Sequence, residues 1–373
     1  MASPNGSLFT VGELFCGAGG LALGLKRAGL DHLWGIDNDP WACATFKRNL
    51  GSHIICADVR EVDFSILPQP AGLAFGFPCN DFSVVGDRTG TRGAYGILYR
   101  QAVRALNEIN PVWFIAENVP GLLSAEGGEQ ALQDFANAGP GYQVAVHLYR
   151  FEEYGVPQKR WRVVAVGIRE DIGLLFRPPA PTHNSPVTVE EALRDVEKVP
   201  HNNEKTRHKP HVVELLRHIP EGENAWSPAV PEHLRLNVPR CRLSLIYRRL
   251  KRDEPAYTVV GSGGGGTHMY HYAEPRALTN RERARLQTFP DDFVFEGRKE
   301  SVRRQIGMAV PPLAAEKIGR ALVALLSGEP YRSVEPSEGV IRPTRRAVQG
   351  ELFDFRSEEK IHAHRQYAGA VTT

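Results

Sequence analysis

The sequence has few cysteines, and none of them belongs to a paired motif. Its 373 residues include five cysteines, an odd number, with no Cys-x-x-Cys spacing. This pattern matches neither a disulfide framework nor a zinc site. We therefore expect a protein of a reducing compartment that holds no metal.

Long apolar segments are also absent. The longest apolar runs, such as residues 163–168, are far shorter than the ~20 residues that a membrane helix needs. The opening residues, MASPNGSLFT, do not show the basic and apolar pattern of a secretory leader, and the sequence has no internal repeat. These absences predict a soluble, cytoplasmic protein with no membrane association.

The composition is close to the globular average, with 42% hydrophobic and 24% charged residues, and the length suits one large and one smaller domain. The net charge of +2 is unevenly distributed. Residues 1–150 carry 10 Lys/Arg and 14 Asp/Glu, whereas the rest of the chain carries 35 and 29. Residues 233–252 hold seven Lys/Arg and no acid, which fits either a polyanion-binding surface or a solvated helical face.

Short apolar runs alternate with helical patterns over residues 8–170. The runs predicted to be strands are 8–15, 33–36, 53–56, 73–77, 112–116, 143–148 and 163–168. Between them, residues 21–28 and 99–109 have the apolar spacing of helices. This alternation predicts an α/β fold with a doubly wound, mostly parallel sheet.

The rest of the chain predicts a second, smaller domain. Residues 177–275 are rich in Pro, His and Asn and end near a glycine-rich run, so we expect a loop-rich insertion into a first domain that covers residues 1–176. A helical pattern resumes at residue 276, and residues 276–330 are predicted to return to the first domain. The polar residues 331–373 are predicted to form a poorly ordered tail.

A glycine turn, ELFCGAGG at residues 13–20, follows the first predicted strand. Glycines let a ligand approach the backbone, and the helix N-terminus that follows favours negative groups. Asp37 lies 20 residues after Gly17, where a carboxylate can bind ribose hydroxyls, and Asp58 follows the third strand. The pattern predicts a nucleoside cofactor without distinguishing a dinucleotide from S-adenosylmethionine, and a tight turn without a ligand is the alternative.

Three further motifs lie at or beside the ends of predicted strands. Cys79, in GFPCNDFS, is placed to act as a nucleophile, with an inert buried thiol as the alternative. Glu117, in ENV, could hold a proton if apolar neighbours raise its pKa, with a helix-capping acid as the alternative. In QKRWR, strand alternation would put Gln158, Arg160 and Arg162 on one face. These side chains could bind an anionic ligand or a base edge, and the charged face of an edge strand is the alternative.

These segments resemble the ordered motifs of the DNA (cytosine-5) methyltransferases of bacterial restriction-modification systems. The matching segments are ELFCGAGGLALGL, GFPCNDFS, ENV, YGVPQKRWRVVAVG, RALTNRERARLQTFPDDF and QIGMAVPPLAAEKIG, which span about residues 10–325. The resemblance implies an S-adenosylmethionine-dependent fold, with residues 177–275 as the target-recognition domain. It also implies double-stranded DNA as substrate, a partner restriction endonuclease, and a monomer associated with the bacterial nucleoid.

The resemblance implies roles for individual residues. The catalytic residues would be Cys79 as nucleophile, Glu117 as the acid at the base, and Arg160 and Arg162 as a clamp around the target base and the catalytic loop. The cofactor would be contacted by Phe15 and Asp58 at its adenine, by Asp37 at its ribose, and by Gly17, Gly19, Gly20, Pro78 and Met308. DNA would be contacted by Ser83, Gln158, Arg240, Arg242, Arg248, Arg249, Tyr257, Gly263 and Gly264. The basic side chains of residues 240–252 could bind phosphates or guanines, which the sequence does not distinguish.

The implied reaction explains why these residue types are needed. A Cys79 thiolate would add to carbon 6 of cytosine and make carbon 5 nucleophilic, while Glu117 would donate a hydrogen bond or proton to ring N3. The target base is stacked inside the duplex, so it would be flipped out, and a loop at about residues 83–96 would close over it.

The chain departs from the family pattern at two positions. Met308 stands where Asn is usual, which predicts altered packing around the methyl donor with activity retained, and Asn80 stands where Gln is common. Three alternatives stay open: an RNA methyltransferase of the same superfamily, a nicotinamide-dependent oxidoreductase and a catalytically silent DNA-binding regulator. The basic insertion favours DNA over RNA, and the oxidoreductase leaves Cys79 and Glu117 unexplained.

Overall fold

A computed structural model describes residues 7–77, 98–125, 127–236, 245–261 and 268–344 of the chain. The strands in these ranges are β1 (Thr10–Leu14), β2 (Asp31–Asp37), β3 (Ile54–Cys56), β4 (Gly72–Phe75), β5 (Trp113–Asn118), β6 (Tyr142–Arg150), β7 (Gln158–Lys159), β8 (Trp161–Arg169), β9 (Ala256–Tyr257) and β10 (Val340–Ile341). The helices are α1 (Gly20–Arg27), α2 (Pro40–Leu50), α3 (Tyr99–Ile109), α4 (Gly128–Asn137), α5 (Val189–Leu193), α6 (Pro210–His218), α7 (Asn280–Leu286), α8 (Lys299–Met308) and α9 (Pro312–Leu326).

Eight strands form one sheet in the order β10-β6-β8-β5-β4-β1-β2-β3. The five strands from β5 to β3 in this order are parallel, whereas β8, β6 and β10 are antiparallel to their neighbours. The carboxyl ends of the parallel strands therefore meet at one edge, and β8 begins at that edge because it is antiparallel to β5. We call this edge of the sheet the active edge. The predicted doubly wound, mostly parallel sheet is confirmed.

Both faces of the sheet are covered by helices. On one face, α3 and α4 pack on Phe75 and Phe114, and the Phe135 ring of α4 meets the Phe75 ring edge-on with centroids 5.3 Å apart. On the other face, α1 and α9 cover Trp113 and Ile115. Each predicted strand is present, with ends that differ from the prediction by at most two residues, because each contains a short run of mainly apolar residues.

A second core lies in the later part of the chain. It brings α5, α7 and α8 together around Leu250, Val259, Phe293 and Ile306, and α6 packs near Tyr270 in a neighbouring cluster. A two-stranded parallel sheet of β7 and β9 joins the two units. Helix α8 also contacts α2, since the Thr45 hydroxyl donates to Gln305 Oε1 at 2.7 Å. Residues 276–330 contain three helices. Of these, α9 packs against α1 and shares a core with it and the sheet.

The prediction of a poorly ordered tail from residue 331 is wrong for residues 331–344. Val340 and Ile341 form β10 and pair with β6 at the edge of the sheet. The Leu148 amide also donates to the Ser337 hydroxyl at 2.9 Å. This strand is only two residues long, so it carries too little periodicity to be predicted. Residues 345–373 lie outside the described ranges. No helix in those ranges is long and apolar enough to cross a membrane.

The close contact of α1 with α9 gives a test of the core. A Cβ placed on Gly24 would lie 2.4 Å from both Ala315 Cβ and the Pro312 carbonyl oxygen. Gly24→Ala is therefore expected to lower the free energy of unfolding by about 1–3 kcal/mol through overpacking, measured by denaturant unfolding. Arg27→Ala, on the exposed side of the same helix, is the control and should change it by less than about 0.5 kcal/mol. Equal effects would contradict the packing.

Candidate active site

The glycine turn between β1 and α1 has an unusual backbone. Phe15, directly after β1, has a φ of 55°, which is strained for a bulky side chain, and Gly17 and Gly19 have φ values of 54° and 89°. A Cβ on Gly20 would lie 2.4 Å from the Val310 carbonyl oxygen, whereas one on Gly17 would meet nothing within 4 Å. The turn is thus closely packed on one side and open at Gly17, which fits the approach of a ligand to the backbone.

Asp37 closes this turn from the neighbouring strand. Its carboxylate accepts hydrogen bonds from the Gly17 amide at 2.8 Å and the Asp39 amide at 2.9 Å. Burial raises the pKa of the Asp37 carboxyl, and the two amide hydrogen bonds oppose that shift. A carboxylate fixed beside a glycine turn at the end of β2 fits the ribose of a nucleoside cofactor. Gly17 and Asp37, which lie 20 residues apart in the sequence, are therefore in direct contact.

Asp58 lies after β3, and its carboxylate is paired with another side chain of the protein. Its two carboxylate oxygens accept hydrogen bonds from the Arg60 guanidinium, at 2.5 Å for Nη2 and 2.9 Å for Nε. These hydrogen bonds lower the pKa of Asp58 to about 2. A contact with an adenine amino group would have to share the carboxylate with Arg60, so that contact stays a prediction.

Glu117 and Arg162 meet at the active edge. Glu117 is near the end of β5 and Arg162 is near the start of β8, and Arg162 Nε lies 2.9 Å from Glu117 Oε1. Both side chains are largely buried. A Cβ on Gly76, just after β4, would lie 3.4 Å from Glu117 Oε2, so Glu117 lies beside the chain three residues before Cys79. Pro78, Cys79 and Ser83 themselves lie outside the described residues.

Asn118 is a site residue that sequence reasoning missed. It is buried, and its Nδ2 donates to the Phe77 carbonyl oxygen at 3.2 Å, while its Oδ1 accepts from the Val119 amide at 2.8 Å. Asn118 therefore fixes the backbone two residues before Cys79. The available signal was the amide that follows Glu117 in ENV, since a buried Asn must find hydrogen-bond partners.

Arg160 is held by backbone carbonyl groups. Its side chain is buried, and its guanidinium donates to the carbonyl oxygens of Val259, Gly307 and Ala309, each at 3.0 Å. Of the two arginines expected to form the clamp, Arg162 pairs with Glu117 and Arg160 holds backbone carbonyl groups. The clamp itself stays a prediction, because the loop at residues 83–96 lies outside the described residues.

Gln158 and Arg160 both contact Val259, which agrees with the one-face prediction for these two residues. Arg162 instead pairs with Glu117, because the chain changes sheets here: β7 pairs with β9, and β8 begins only at residue 161.

Gln158 is likewise buried, so its side chain is not accessible to DNA in this structure, contrary to the prediction. Its amide nitrogen donates to Gln287 Oε1 and to the Leu286 carbonyl oxygen, both at 2.7 Å, and its oxygen accepts from the Val259 amide at 2.9 Å. Gln287 in turn donates to the Ile306 carbonyl oxygen at 2.6 Å. We call Gln158, Arg160 and Gln287 the buried junction, because they tie the active edge to the second core.

The predicted DNA contacts divide into different environments. Arg249 is buried and donates to the carbonyl oxygens of Leu216, Ile219, His271 and Tyr272, so it supports the fold and is not exposed to DNA as predicted. The Tyr257 hydroxyl is also used internally, donating to the Arg248 carbonyl oxygen at 3.1 Å and accepting from the Met269 amide at 2.8 Å. Arg240, Arg242, Gly263 and Gly264 lie outside the described residues.

Met308 lies at the end of α8 between two parts of the site. Its side chain is 68% exposed, and a Cβ on Gly261 would lie 3.2 Å from Met308 Cγ. The next residue, Ala309, packs against Gly20 of the glycine turn, at 3.1 Å from a Cβ placed there. Met308 therefore lies next to the start of the glycine-rich run, and its contact with a cofactor stays a prediction.

Comparisons with known proteins agree with this geometry. Residues 9–324 match the family model described as C-5 cytosine-specific DNA methylase. The chain belongs to this family. It is 53% identical to the type II methyltransferase M.BbvI of Brevibacillus brevis, over 87% of this chain and 94% of that relative. It is 40% identical to the type II methyltransferase M.NgoFVII of Neisseria gonorrhoeae, over 88% and 90% of the two chains.

Solved structures agree on the fold of this methylase. A prophage-encoded E. coli protein described as a DNA modification methyltransferase superposes with a TM-score of 0.69 at 25% identity, covering 85% of this chain and 99% of the other. The expected family, fold and enzyme class are confirmed, and the oxidoreductase alternative is removed. Family and fold also imply use of S-adenosylmethionine.

The buried junction predicts a large effect on the stability of the methylase. Arg160→Ala is expected to lower the free energy of unfolding by about 3 kcal/mol or more, because three buried carbonyl groups lose their donors together. Denaturant unfolding followed by circular dichroism measures this change. The matched control is Lys159→Ala, since Lys159 is the exposed neighbour that pairs with Glu254 at 3.2 Å, and it should cost less than about 1 kcal/mol. Similar losses in both variants would contradict the role of the junction.

Proposed function

We propose that the chain transfers a methyl group from S-adenosylmethionine to carbon 5 of a cytosine that is flipped out of double-stranded DNA and held covalently by Cys79. One observation carries this proposal: the Glu117–Arg162 pair lies at the active edge beside Gly76, three residues before Cys79. The acid and the nucleophile would therefore face the same base. The glycine turn at the end of β1 lies on the same edge.

The residues of the glycine turn fit the cofactor. S-adenosylmethionine supplies an electrophilic methyl group on a sulfonium. Asp37 would accept hydrogen bonds from the ribose hydroxyls, and the open side of Gly17 would admit the backbone contact. Phe15 would stack on the adenine, and Asp58 would bind its amino group while sharing its carboxylate with Arg60. Pro78 and Met308 would complete the contacts.

Cys79 and Glu117 would activate the cytosine. Carbon 5 is a weak nucleophile within an aromatic ring, so the Cys79 thiolate forms a bond to carbon 6 and breaks the aromaticity. Glu117, oriented by Arg162, donates a proton or hydrogen bond to N3 as negative charge develops on the ring. Carbon 5 would then take the methyl group from the sulfonium, whose methyl–sulfur bond breaks to leave S-adenosylhomocysteine. Carbon 5 would next lose its proton to a base, and the bond between carbon 6 and Cys79 would break to release the thiolate.

The biological role would be protection of DNA from a partner restriction endonuclease. The relatives at 53% and 40% identity are both named type II methyltransferases. The chain would act as a monomer, because the cofactor residues and the acid lie in one chain, and it would work in the bacterial cytoplasm at the nucleoid. Reaction at the target cytosine requires that this base leave the stack, because the Cys79 thiolate would have no access to carbon 6 inside the duplex.

The covalent step gives the direct test of the proposal. Duplex DNA with fluorine at carbon 5 of cytosine cannot lose a proton there, so the adduct accumulates. We expect wild-type protein with S-adenosylmethionine to form a denaturation-resistant complex with this DNA by mass spectrometry. Cys79→Ala should form none, and its methyl transfer to ordinary DNA should fall roughly a thousandfold or more.

Cys43→Ala is the control for this experiment, because Cys43 is a buried thiol of α2. It should retain the adduct. An adduct that persists in Cys79→Ala, or methyl transfer at the wild-type rate in that variant, would disprove the assignment of the nucleophile.

Asp37 allows a test of the cofactor site without catalysis. Asp37→Asn removes the negative charge of the side chain that would accept hydrogen bonds from the ribose hydroxyls. The dissociation constant of S-adenosylhomocysteine is therefore expected to rise roughly tenfold to a hundredfold. Isothermal titration calorimetry measures it. Asp63→Asn is the control, since Asp63 also caps a short turn but lies on the exposed surface after β3, and it should leave the constant unchanged. Equal constants in both variants would refute the site.

A further inference from the structure

Most of the basic side chains of residues 233–252 that the structure describes make internal contacts. Arg249 is buried among backbone carbonyl groups. Lys251 lies 2.9 Å from a Glu254 carboxylate oxygen, and Arg252 lies 2.7 Å from a Glu221 oxygen. Neighbouring basic residues in the sequence therefore have different roles, and charge alone does not identify the ones that are available to DNA.

Arg248 differs from these neighbours. Within the part of the chain that the structure describes, no carboxylate or carbonyl oxygen accepts a hydrogen bond from its guanidinium. The guanidinium lies over the Tyr257 ring, 5.2 Å from its centroid. Its backbone is also fixed, because the Arg248 carbonyl oxygen accepts from the Tyr257 hydroxyl and from the Tyr270 amide, both at 3.1 Å. A planar fork of donors is thus held in place without a partner for its hydrogen bonds.

Arg248 opens onto a cavity of about 410 Å³ in the second unit. The lining includes Glu223, Asn224, Trp226 and Ser227. The walls are held together by hydrogen bonds, since the Ala225 amide donates to the Ile246 carbonyl oxygen at 3.1 Å and the Arg249 amide donates to the Glu223 carbonyl oxygen at 2.9 Å. Backbone hydrogen bonds therefore link the segment before residue 228 to the segment that carries Arg248.

The chemistry of the cavity favours a base pair over the DNA backbone. Arg248 and Glu223 line it without forming an ion pair with each other. A carboxylate repels a phosphate, but it can accept a hydrogen bond from the amino group of cytosine, while an arginine fork matches O6 and N7 of guanine. The chemical groups of these two side chains therefore suit the major-groove edge of a G·C pair better than a phosphate.

The position of Arg248 also suits recognition of DNA at the active edge. Tyr257 lies in β9, which pairs with β7 directly before Arg160. The Tyr257 hydroxyl accepts from the Met269 amide, and the buried Arg283 donates to the His268 carbonyl oxygen at 2.8 Å. The residues that directly follow the glycine-rich run at 261–266 are therefore held beside Tyr257, which precedes it. Arg248 thus lies next to the base of that run.

We propose that Arg248 reads one guanine of the recognition sequence through bidentate hydrogen bonds in the major groove, oriented by the Tyr257 ring. This inference rests on the proposed function, since it assigns a specificity contact to DNA methylation. Arg248 is then a specificity-determining residue outside the catalytic machinery.

The test compares methylation profiles on a random-sequence duplex pool by cytosine-conversion sequencing. Wild-type protein defines the recognition sequence. In Arg248→Ala, selectivity for guanine at one position should fall about tenfold or more, while selectivity at the other positions is retained. Arg248→Lys keeps the charge but loses the fork, so it should show the same loss. If Arg248→Ala fails to fold, as judged by its melting temperature, Arg248→Lys decides the question.

Arg252→Ala is the matched control, because Arg252 also lies over a tyrosine, 5.1 Å from the Tyr272 centroid, but pairs with acids. Its profile should equal that of the wild type. An unchanged recognition sequence in the Arg248 variants, full rescue by lysine, or the same relaxation in Arg252→Ala would overturn the inference. Absence of methylation by the wild type would instead count against the proposed function.

Discussion

Buried backbone carbonyl groups without a strand or helix partner are the constraint on which the second half of this structure depends. Such groups must be paired, and arginine meets the need at three places. Each of these side chains is buried and donates to three or more carbonyl oxygens: Arg160, Arg249 and Arg281. A loop-rich unit can thereby be as well ordered as a sheet. Arg160 matters most, because its acceptors belong to segments that surround the active edge.

The arrangement at the active edge follows from strand order. Parallel strands bring the Asp37 carboxylate of β2 and the Glu117 carboxyl of β5 to the same edge, and the antiparallel β8 brings Arg162 to Glu117. The apolar sheet needs none of these polar groups for its packing. Their burial therefore costs free energy that the fold alone does not require, which supports a role in binding and reaction. The buried junction then holds the second core against this edge.

The sheet and the chemistry-bearing motifs were predictable because they depend on local patterns. Helix α3 was predicted with its observed ends, and the spacing of Gly17 and Asp37 correctly placed them side by side. The failures involve partners that are distant in sequence. Nothing local separates Arg248 from Arg249, although one faces a cavity and the other is buried among carbonyl groups. The change of sheets at Arg160 could not be predicted from local sequence either, because it depends on the pairing of β7 with β9.

Cytosine methylation of DNA is tested most directly by transfer of radiolabelled methyl from S-adenosylmethionine by the wild-type chain to duplex DNA and, in parallel, to folded RNA. We expect label on DNA alone, located at carbon 5 of cytosine within one fixed sequence. Label on RNA, or none on DNA although the protein is folded and binds the cofactor, would contradict this expectation.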